Sequence, residues 1–285
     1  MKFRTELKSP KYPFQISYKD RMLLLGSCFS DNIGTFLINY RFSALSNPFG
    51  TLFNPVSIAN ALEMTINPEL FTGDYHYFFE NRWVSFAHHG SFSHSDENQF
   101  IKQIREQFSV TKVFLEQTHF LFITFGTAYV YKFIERDLVV ANCHKIPNTK
   151  FEKIRLKIDE IVKIYTEIIE KIQKINPSAT IIFTVSPVRH LGDGFHENQL
   201  SKSILHLAVE QLTHDKNIFY FPAYEILMDD LRDYRFYAED LCHPGENAIS
   251  YIEEIFAESF FSQETKERLK EIEKENKFLN HRKLQ

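Results

Sequence analysis

Four short apolar runs punctuate the chain, at residues 22–25, 120–125, 180–185 and 218–221. Each has the length of a strand and runs straight into polar or turn-forming residues. Near-continuous apolarity is what a parallel strand covered on both faces requires. Between the runs the period lengthens. Over residues 152–175, Ile154, Ile158, Ile161, Tyr165, Ile168, Ile172 and Ile175 recur at spacings of three and four. Lys and Glu fill the opposite face, and Asn176-Pro177 ends the segment, which predicts a long amphipathic helix with a solvated charged face. Residues 198–212 predict a shorter helix leading to the run at Ile218. Strands alternating with helices imply an α/β fold, a central parallel sheet sandwiched between helices.

Two regions break this rhythm. Residues 50–115 hold a helix after Asn54-Pro55, an aromatic and His-rich stretch over 75–94, and another helical segment. An insertion bordering the sheet's functional edge is expected there, shaped as a lid. Residues 263–279 are rich in Lys and Glu, with sparse apolar spacing at Leu269, Ile272 and Phe278. They predict a surface helix, and the expected division is a domain over 1–262 and a helical extension over 263–285.

Composition narrows the function classes. A chain of 285 residues is one large domain or a domain with appendages. Hydrophobic residues at 44% and charged residues at 25% exclude wholesale disorder. Twenty-nine Phe against nine Gly imply a thick aromatic core and few glycine loops, which argues against a phosphate-cradling loop or dinucleotide cofactor. No cofactor is expected. The net charge of −4 gives no global basic field for nucleic acid. Cys28, Cys143 and Cys242 form no CxxC pair, so neither a disulfide scaffold nor a cysteine-only zinc site is expected. With no secretory pattern and no apolar stretch of ~20 residues, the expectation is a soluble, cytoplasmic protein with no membrane partner.

In open α/β sheets, ligands bind beyond the carboxyl ends of the strands. Four segments follow the predicted strands: Gly26-Ser27-Cys28-Phe29-Ser30-Asp31, Gly126-Thr127-Ala128, Ser186-Pro187-Val188-Arg189-His190, and Asp240-Leu241-Cys242-His243-Pro244 past the last. In the first, Gly26 permits a tight turn into a helix, whose opening amides and dipole assist a nucleophile. A helix-capping serine is the plainer reading of Ser27. In the last, Asp240 can orient the His243 ring three residues on, leaving the other ring nitrogen as a general base. Alone that spacing is common; with a helix-opening nucleophile it gains meaning. Among the clustered histidines His76, His88, His89 and His94, cleft-lining or core hydrogen-bonding roles are favoured over metal ligation, because no His-x-x-x-His helical spacing occurs.

Gly26-Ser27-Cys28-Phe29-Ser30 resembles the eponymous motif of the GSCFA family, with Ser30 in place of its alanine. Asn47-Pro48-Phe49-Gly50, the stretch 85–94, Ser186-Pro187-Val188-Arg189-His190 and Tyr237-Ala238-Glu239-Asp240 running into His243 resemble that family too, so that the similarity reaches to about Phe261. The family is similar to SGNH or GDSL-type hydrolases, which implies a flavodoxin-like three-layer sandwich and esterase or deacylase chemistry. The resemblance implies a catalytic Asp240–His243 pair, an oxyanion-hole role for Gly50, and a similar role for Gly126 and Thr127, although the asparagine of the corresponding Gly-x-Asn block is missing. His88, His89 and His190 join these as substrate-binding candidates. Two registers stay open for the nucleophile. Direct superposition of Gly-Asp-Ser-Leu selects Cys28, with Phe29 on the apolar position, and a shift of one residue selects Ser27. The expected activity is hydrolysis of a small O-acyl ester, an acetylated sugar among the candidates. An acyltransferase using the same residues and a catalytically silent binding module of the same fold are the alternatives.

Overall fold

A computed structural model describes residues 4–283. The strands are β1 (Arg21–Gly26), β2 (Ser43–Ser46), β3 (His76–Phe79), β4 (Arg82–Ser85), β5 (Ser93–His94), β6 (Phe120–Phe125), β7 (Tyr129–Phe133), β8 (Leu138–Val140), β9 (Phe151–Arg155), β10 (Thr180–Val185) and β11 (Ile218–Tyr220). The helices are α1 (Cys28–Asn39), α2 (Pro55–Ile66), α3 (Glu97–Glu116), α4 (Ile158–Ile175), α5 (Phe195–Leu212), the single turn α6 (Ala223–Glu225), α7 (Glu246–Phe260) and α8 (Gln263–Lys283).

Five strands form the central sheet in the order β2-β1-β6-β10-β11, and every neighbouring pair is parallel. Counting only these strands along the chain, the order is 2-1-3-4-5, the flavodoxin-like winding. The period of two divides the core between two faces. Leu23, Leu25, Leu121, Ile123, Phe125, Ile181, Phe183 and Val185 point toward α2, α3, α4 and α5. Met22, Leu24, Phe120, Phe122 and Ile182 point toward α1 and α7. The phenylalanines concentrate here: Phe122, Phe221, Phe256 and Phe260 touch one another in tilted and edge-on pairs.

Three departures from the sequence pattern have physical causes. The long helix begins at Ile158, not at 152, because the Lys157 amide donates to Glu160 Oε2 at 2.7 Å and fixes the first turn. Residues 151–155 instead form β9, antiparallel to β7 with Val130 opposite Ile154. Apolar spacing alone does not separate these two uses of Ile154. The small sheet β8-β7-β9, absent from the sequence reading, packs through Phe133 and Val140, with Ile146 of the β8–β9 loop, against Phe86 of the 75–94 stretch. The fifth sheet strand, β2, is short and polar and sits at the edge, so no apolar run announces it.

The segment between β2 and β6 contains α2, the antiparallel sheet β3-β4-β5 and α3. Asn54 caps α2 through its bond from the Ser57 amide at 2.8 Å, with Pro55 in the first turn. In α8, Ile272 is buried and Leu269 packs on the sheet's second face, while Thr265 donates its hydroxyl to the Ile16 carbonyl. No helix among the described residues is long and apolar enough to cross a membrane.

Close approach of α1 to β2 depends on Gly34, where an added Cβ would lie 2.3 Å from Ser46 Cβ. Gly34→Ala should therefore lower unfolding free energy by about 1–3 kcal/mol in urea titration. Gly192→Ala, at a site with open space around it, should stay within about 0.5 kcal/mol of wild type.

Candidate active site

The turn from β1 into α1 sets the site. Gly26 adopts φ +138°, and a Cβ there would lie 2.2 Å from the Thr124 carbonyl oxygen, so only glycine fits. Ser27 is the N-cap: its amide donates to Thr124 O at 3.2 Å, and its Oγ accepts from the Phe29 amide at 3.4 Å. It is 1% exposed. Cys28 is the first residue of α1 and half-buried. The backbone amides of Cys28 and Phe29 lie near its thiol. Burial, followed by the Asp31 carboxylate, raises the thiol pKa; the two amides and the charge of Lys202 oppose that rise.

Asn47 braces this turn from the end of β2. Its Oδ1 accepts from the Gly26 amide at 2.9 Å, and its Nδ2 donates to Asp31 Oδ1 at 2.7 Å. Thr51 Oγ1 donates to the other Asp31 oxygen at 3.1 Å. Asn47 itself has φ +41°, a conformation that asparagine tolerates better than most residues. Gly50, at φ +75°, donates its amide to Asn47 O at 2.8 Å, and a Cβ there would meet His89 Cβ at 2.2 Å. The glycine is required by the turn and by the packed histidine, and its N–H is already spent.

The other acidic and basic candidates come from the far end of the chain. Asp240 Oδ1 accepts from the amides of Cys242 and His243, at 3.0 and 2.9 Å, and Oδ2 meets His243 Nδ1 at 2.5 Å. The His243 and Cys242 amides, and then the imidazole, push the Asp240 carboxyl down to about 2. An ionised Asp240 makes His243 Nδ1 the donor and leaves Nε2 free for proton transfer. Leu241 holds φ +58° so that the chain reverses within this turn.

This turn lies at the same edge as α1. Pro244 and Phe29 line one small apolar cavity with Ile33 and Ile252. The charges of His243 and Lys202 both reach His190, in the segment after β10, and burial is the main cause that pushes His190 down to about 4. The His190 amide donates to Asn198 Oδ1 at 3.0 Å, and its ring stands edge-on to Phe53. Phe53, in the loop after β2, is 37% exposed beside it. Cys28, His190, His243 and the loops after β2 and β6 thus share the carboxyl edge of the sheet.

Of the two roles left open for the clustered histidines, His88 takes the core one. His88 does not line a cleft: it is 1% exposed, its ring packs among Phe49, Phe71, Phe92 and Phe108, and Nδ1 bonds to Ser85 Oγ at 2.7 Å. Burial pushes it down to about 3, so it is a neutral core residue. His89 touches the edge loop, donating its amide to Phe49 O at 3.0 Å, and is where the 75–94 insertion meets the site. The amides of Gly126 and Thr127 both donate to Phe53 O, at 2.8 and 3.0 Å, and Thr127 Oγ1 is engaged with Ser201 Oγ and the Tyr129 amide. With Gly50 committed as well, the three expected oxyanion donors serve the loops themselves.

One residue escaped the sequence reading. Lys202 on α5 is fully buried, and its ammonium donates to the carbonyls of Gly126 and Ser186, each at 2.6 Å. The signal for it was available: Lys202 falls on the buried stripe with Asn198, Leu205, Val209 and Leu212.

A flavodoxin-like parallel sheet with a helix-opening Ser27-Cys28 turn and a distal Asp-x-x-His turn at one edge defines the architectural class. The GSCFA family model matches residues 21–256, and the chain belongs to the GSCFA family. No curated protein matches the sequence. Among solved structures the chain is similar to a carbohydrate esterase of family 3 from Talaromyces cellulolyticus, at 8% identity and TM-score 0.38, covering 84% of this chain and 95% of that one. It is similar to a family two carbohydrate esterase from Clostridium thermocellum, at 12% identity and TM-score 0.38, over 85% of this chain and 64% of that one. An acetyl xylan esterase from Butyrivibrio proteoclasticus gives 10% identity and TM-score 0.40, over 85% and 63% respectively.

The brace at Asn47 is testable by itself. Asn47→Ala strands the buried Gly26 amide and forces alanine into a left-handed backbone. Unfolding free energy should fall by about 2–4 kcal/mol in denaturant titration, and a loss under about 0.5 kcal/mol would show that the turn needs no brace.

Proposed function

We propose that the protein hydrolyses a small O-acyl ester, with Cys28 as nucleophile, His243 as general base and acid, and Asp240 as the group that orients it. The observation that carries this reading is the Asp240–His243 pair, held at 2.5 Å on the sheet edge where α1 begins. Cys28 is favoured over Ser27 because Ser27 is sealed in as the N-cap, whereas Cys28 opens the helix and is partly exposed. The raised thiol pKa means that Cys28 rests protonated and needs a base to attack.

His243 Nε2 takes the thiol proton as sulfur adds to the acyl carbonyl carbon, forming a tetrahedral oxyanion. Collapse expels the alkoxide, which takes the proton from the imidazolium and leaves an acyl thioester on Cys28. Water, deprotonated by the same nitrogen, then releases the carboxylic acid and restores the thiol. The family resemblance supplies the substrate class, with an acetyl group on a sugar as the leading candidate. Consumption of the Gly50, Gly126 and Thr127 amides favours one rival reading, a catalytically silent binding module.

Mass spectrometry after brief exposure to 4-nitrophenyl acetate separates these readings. Cys28→Ala should abolish both the acyl adduct and turnover, and His243→Ala should cut turnover by about 10²–10⁴. Asp240→Asn should leave a small residue of activity. Ser27→Ala should keep turnover while losing about 0.5–2 kcal/mol of stability with its cap. An adduct that survives Cys28→Ala and vanishes in Ser27→Ala would transfer the role to the serine. No adduct in wild type, or full activity in the Cys28, Ser27 and His243 variants alike, would leave only the binding module.

A further inference from the structure

A buried ammonium ordinarily pairs with a carboxylate, because taking a charge out of water is costly. Lys202 has none within 4 Å among the described residues; its two acceptors are the Gly126 and Ser186 carbonyls, at the carboxyl ends of β6 and β10. A neutral amine keeps two N–H groups, enough to leave neither acceptor unpaired. The proton on Lys202 is therefore dispensable to the fold.

Lys202 reaches Gly126 O at the end of β6, two residues past Thr124, whose carbonyl accepts the Ser27 amide next to Cys28. Around it stand Cys28 from α1, His190 from the segment after β10 and His206 from the next turn of α5, and the Asp31 carboxylate faces Cys28 from the first turn of α1. Burial pushes His190 and His206 each down to about 4, so both are neutral near pH 7. Of Cys28, His190 and His206, Cys28 alone can take up negative charge, and it does so against the carboxylate of Asp31. The amides that would stabilise an oxyanion are meanwhile committed to Asn47 O and Phe53 O.

We propose that Lys202 is a positioning charge of the active site, whose ammonium stabilises negative charge at Cys28 in place of the oxyanion donors that the loops consume. The inference rests on Cys28 as the nucleophile. Burial pushes the Lys202 ammonium down to about 7. The positive charge is thus present below that pH and fades as pH rises through it. In each singly protonated molecule, the remaining proton is shared between thiol and amine. Thiolate consequently rises with pH up to about 7, levels off while that single proton is shared, and rises again when it leaves.

Alkylation of Cys28 by iodoacetamide, followed by peptide mapping from pH 6 to pH 9, tests this without any ester. Wild type should show two rises separated by a plateau, and Lys202→Met a single rise. The wild-type rate should exceed that of Lys202→Met about tenfold at pH 6, the effect of one pKa unit, and the ratio should shrink above pH 7. Lys202→Arg, permanently charged, should stay faster than wild type at pH 9. A role confined to holding the two loops would change the rate by the same factor at every pH. A single-step wild-type profile, or a pH-independent ratio to either variant, overturns the proposal even if neither variant folds well enough for kinetics, since the wild-type profile stands alone. A two-step profile in a protein without esterase activity would keep the Lys202–Cys28 coupling and discard the hydrolase.

Discussion

The left-handed backbone at Gly26 is the constraint on which the rest of the site depends. It lets β1 end against the Thr124 carbonyl and turns the chain so that α1 starts one residue later, with Ser27 folded inward and Cys28 outward. Such a turn leaves a buried amide facing away from its own strand. Asn47 receives that amide, and because its own amide bonds to Leu24 O, the brace is built from the neighbouring strand's end. The same side chain grips Asp31 in the first turn of α1. Strand end, helix start and the loop after β2 thereby form one hydrogen-bonded unit, and displacement of any part disturbs the position of the sulfur.

Much of this was legible in the sequence. The four apolar runs became sheet strands because complete burial on both faces leaves little choice of residue, and the turn residues after each run marked the carboxyl edge of the sheet. Asp240 and His243 were readable because their spacing is local and needs no knowledge of distant contacts. What stayed hidden was either short or ambiguous in period. β2 has four residues, half of them serine. The apolar positions of β9 continue the spacing of α4 almost without a break, so that only the bond between Lys157 and Glu160 separates strand from helix.

The loop residues depend on contacts that the sequence does not display. The resemblance implies oxyanion-hole roles for Gly50, Gly126 and Thr127, Gly50 because a glycine backbone can approach a substrate closely. Whether an amide is free depends on the loop facing it, and here Phe53 O and Asn47 O are the acceptors. His88 was one of a run of aromatic-flanked histidines, and sequence did not show that four phenylalanine rings close around it. Lys202 was the converse case, a charged residue on a buried stripe that reads first as an interruption of the pattern.

These observations describe one economy of polar groups. A sheet edge has a limited set of backbone donors, and they either hold the loops in place or face a ligand. This edge uses them for the loops, which is why Gly26, Gly50 and Gly126 tolerate such close neighbours: backbone approaches backbone or a side-chain stem at under 3 Å from where a Cβ would sit. The positive groups near Cys28 are then the opening amides of α1 and the Lys202 ammonium at the ends of β6 and β10, set against the Asp31 carboxylate. A thiol suits those conditions better than a hydroxyl. Its anion is reached at lower basicity, so the opening amides and one ammonium offset part of the rise that burial and Asp31 impose on it, where a serine would depend on donors in direct contact. On the proposal that Cys28 is the nucleophile, a thiol at the first position of α1 and the commitment of the loop amides are two sides of the same arrangement.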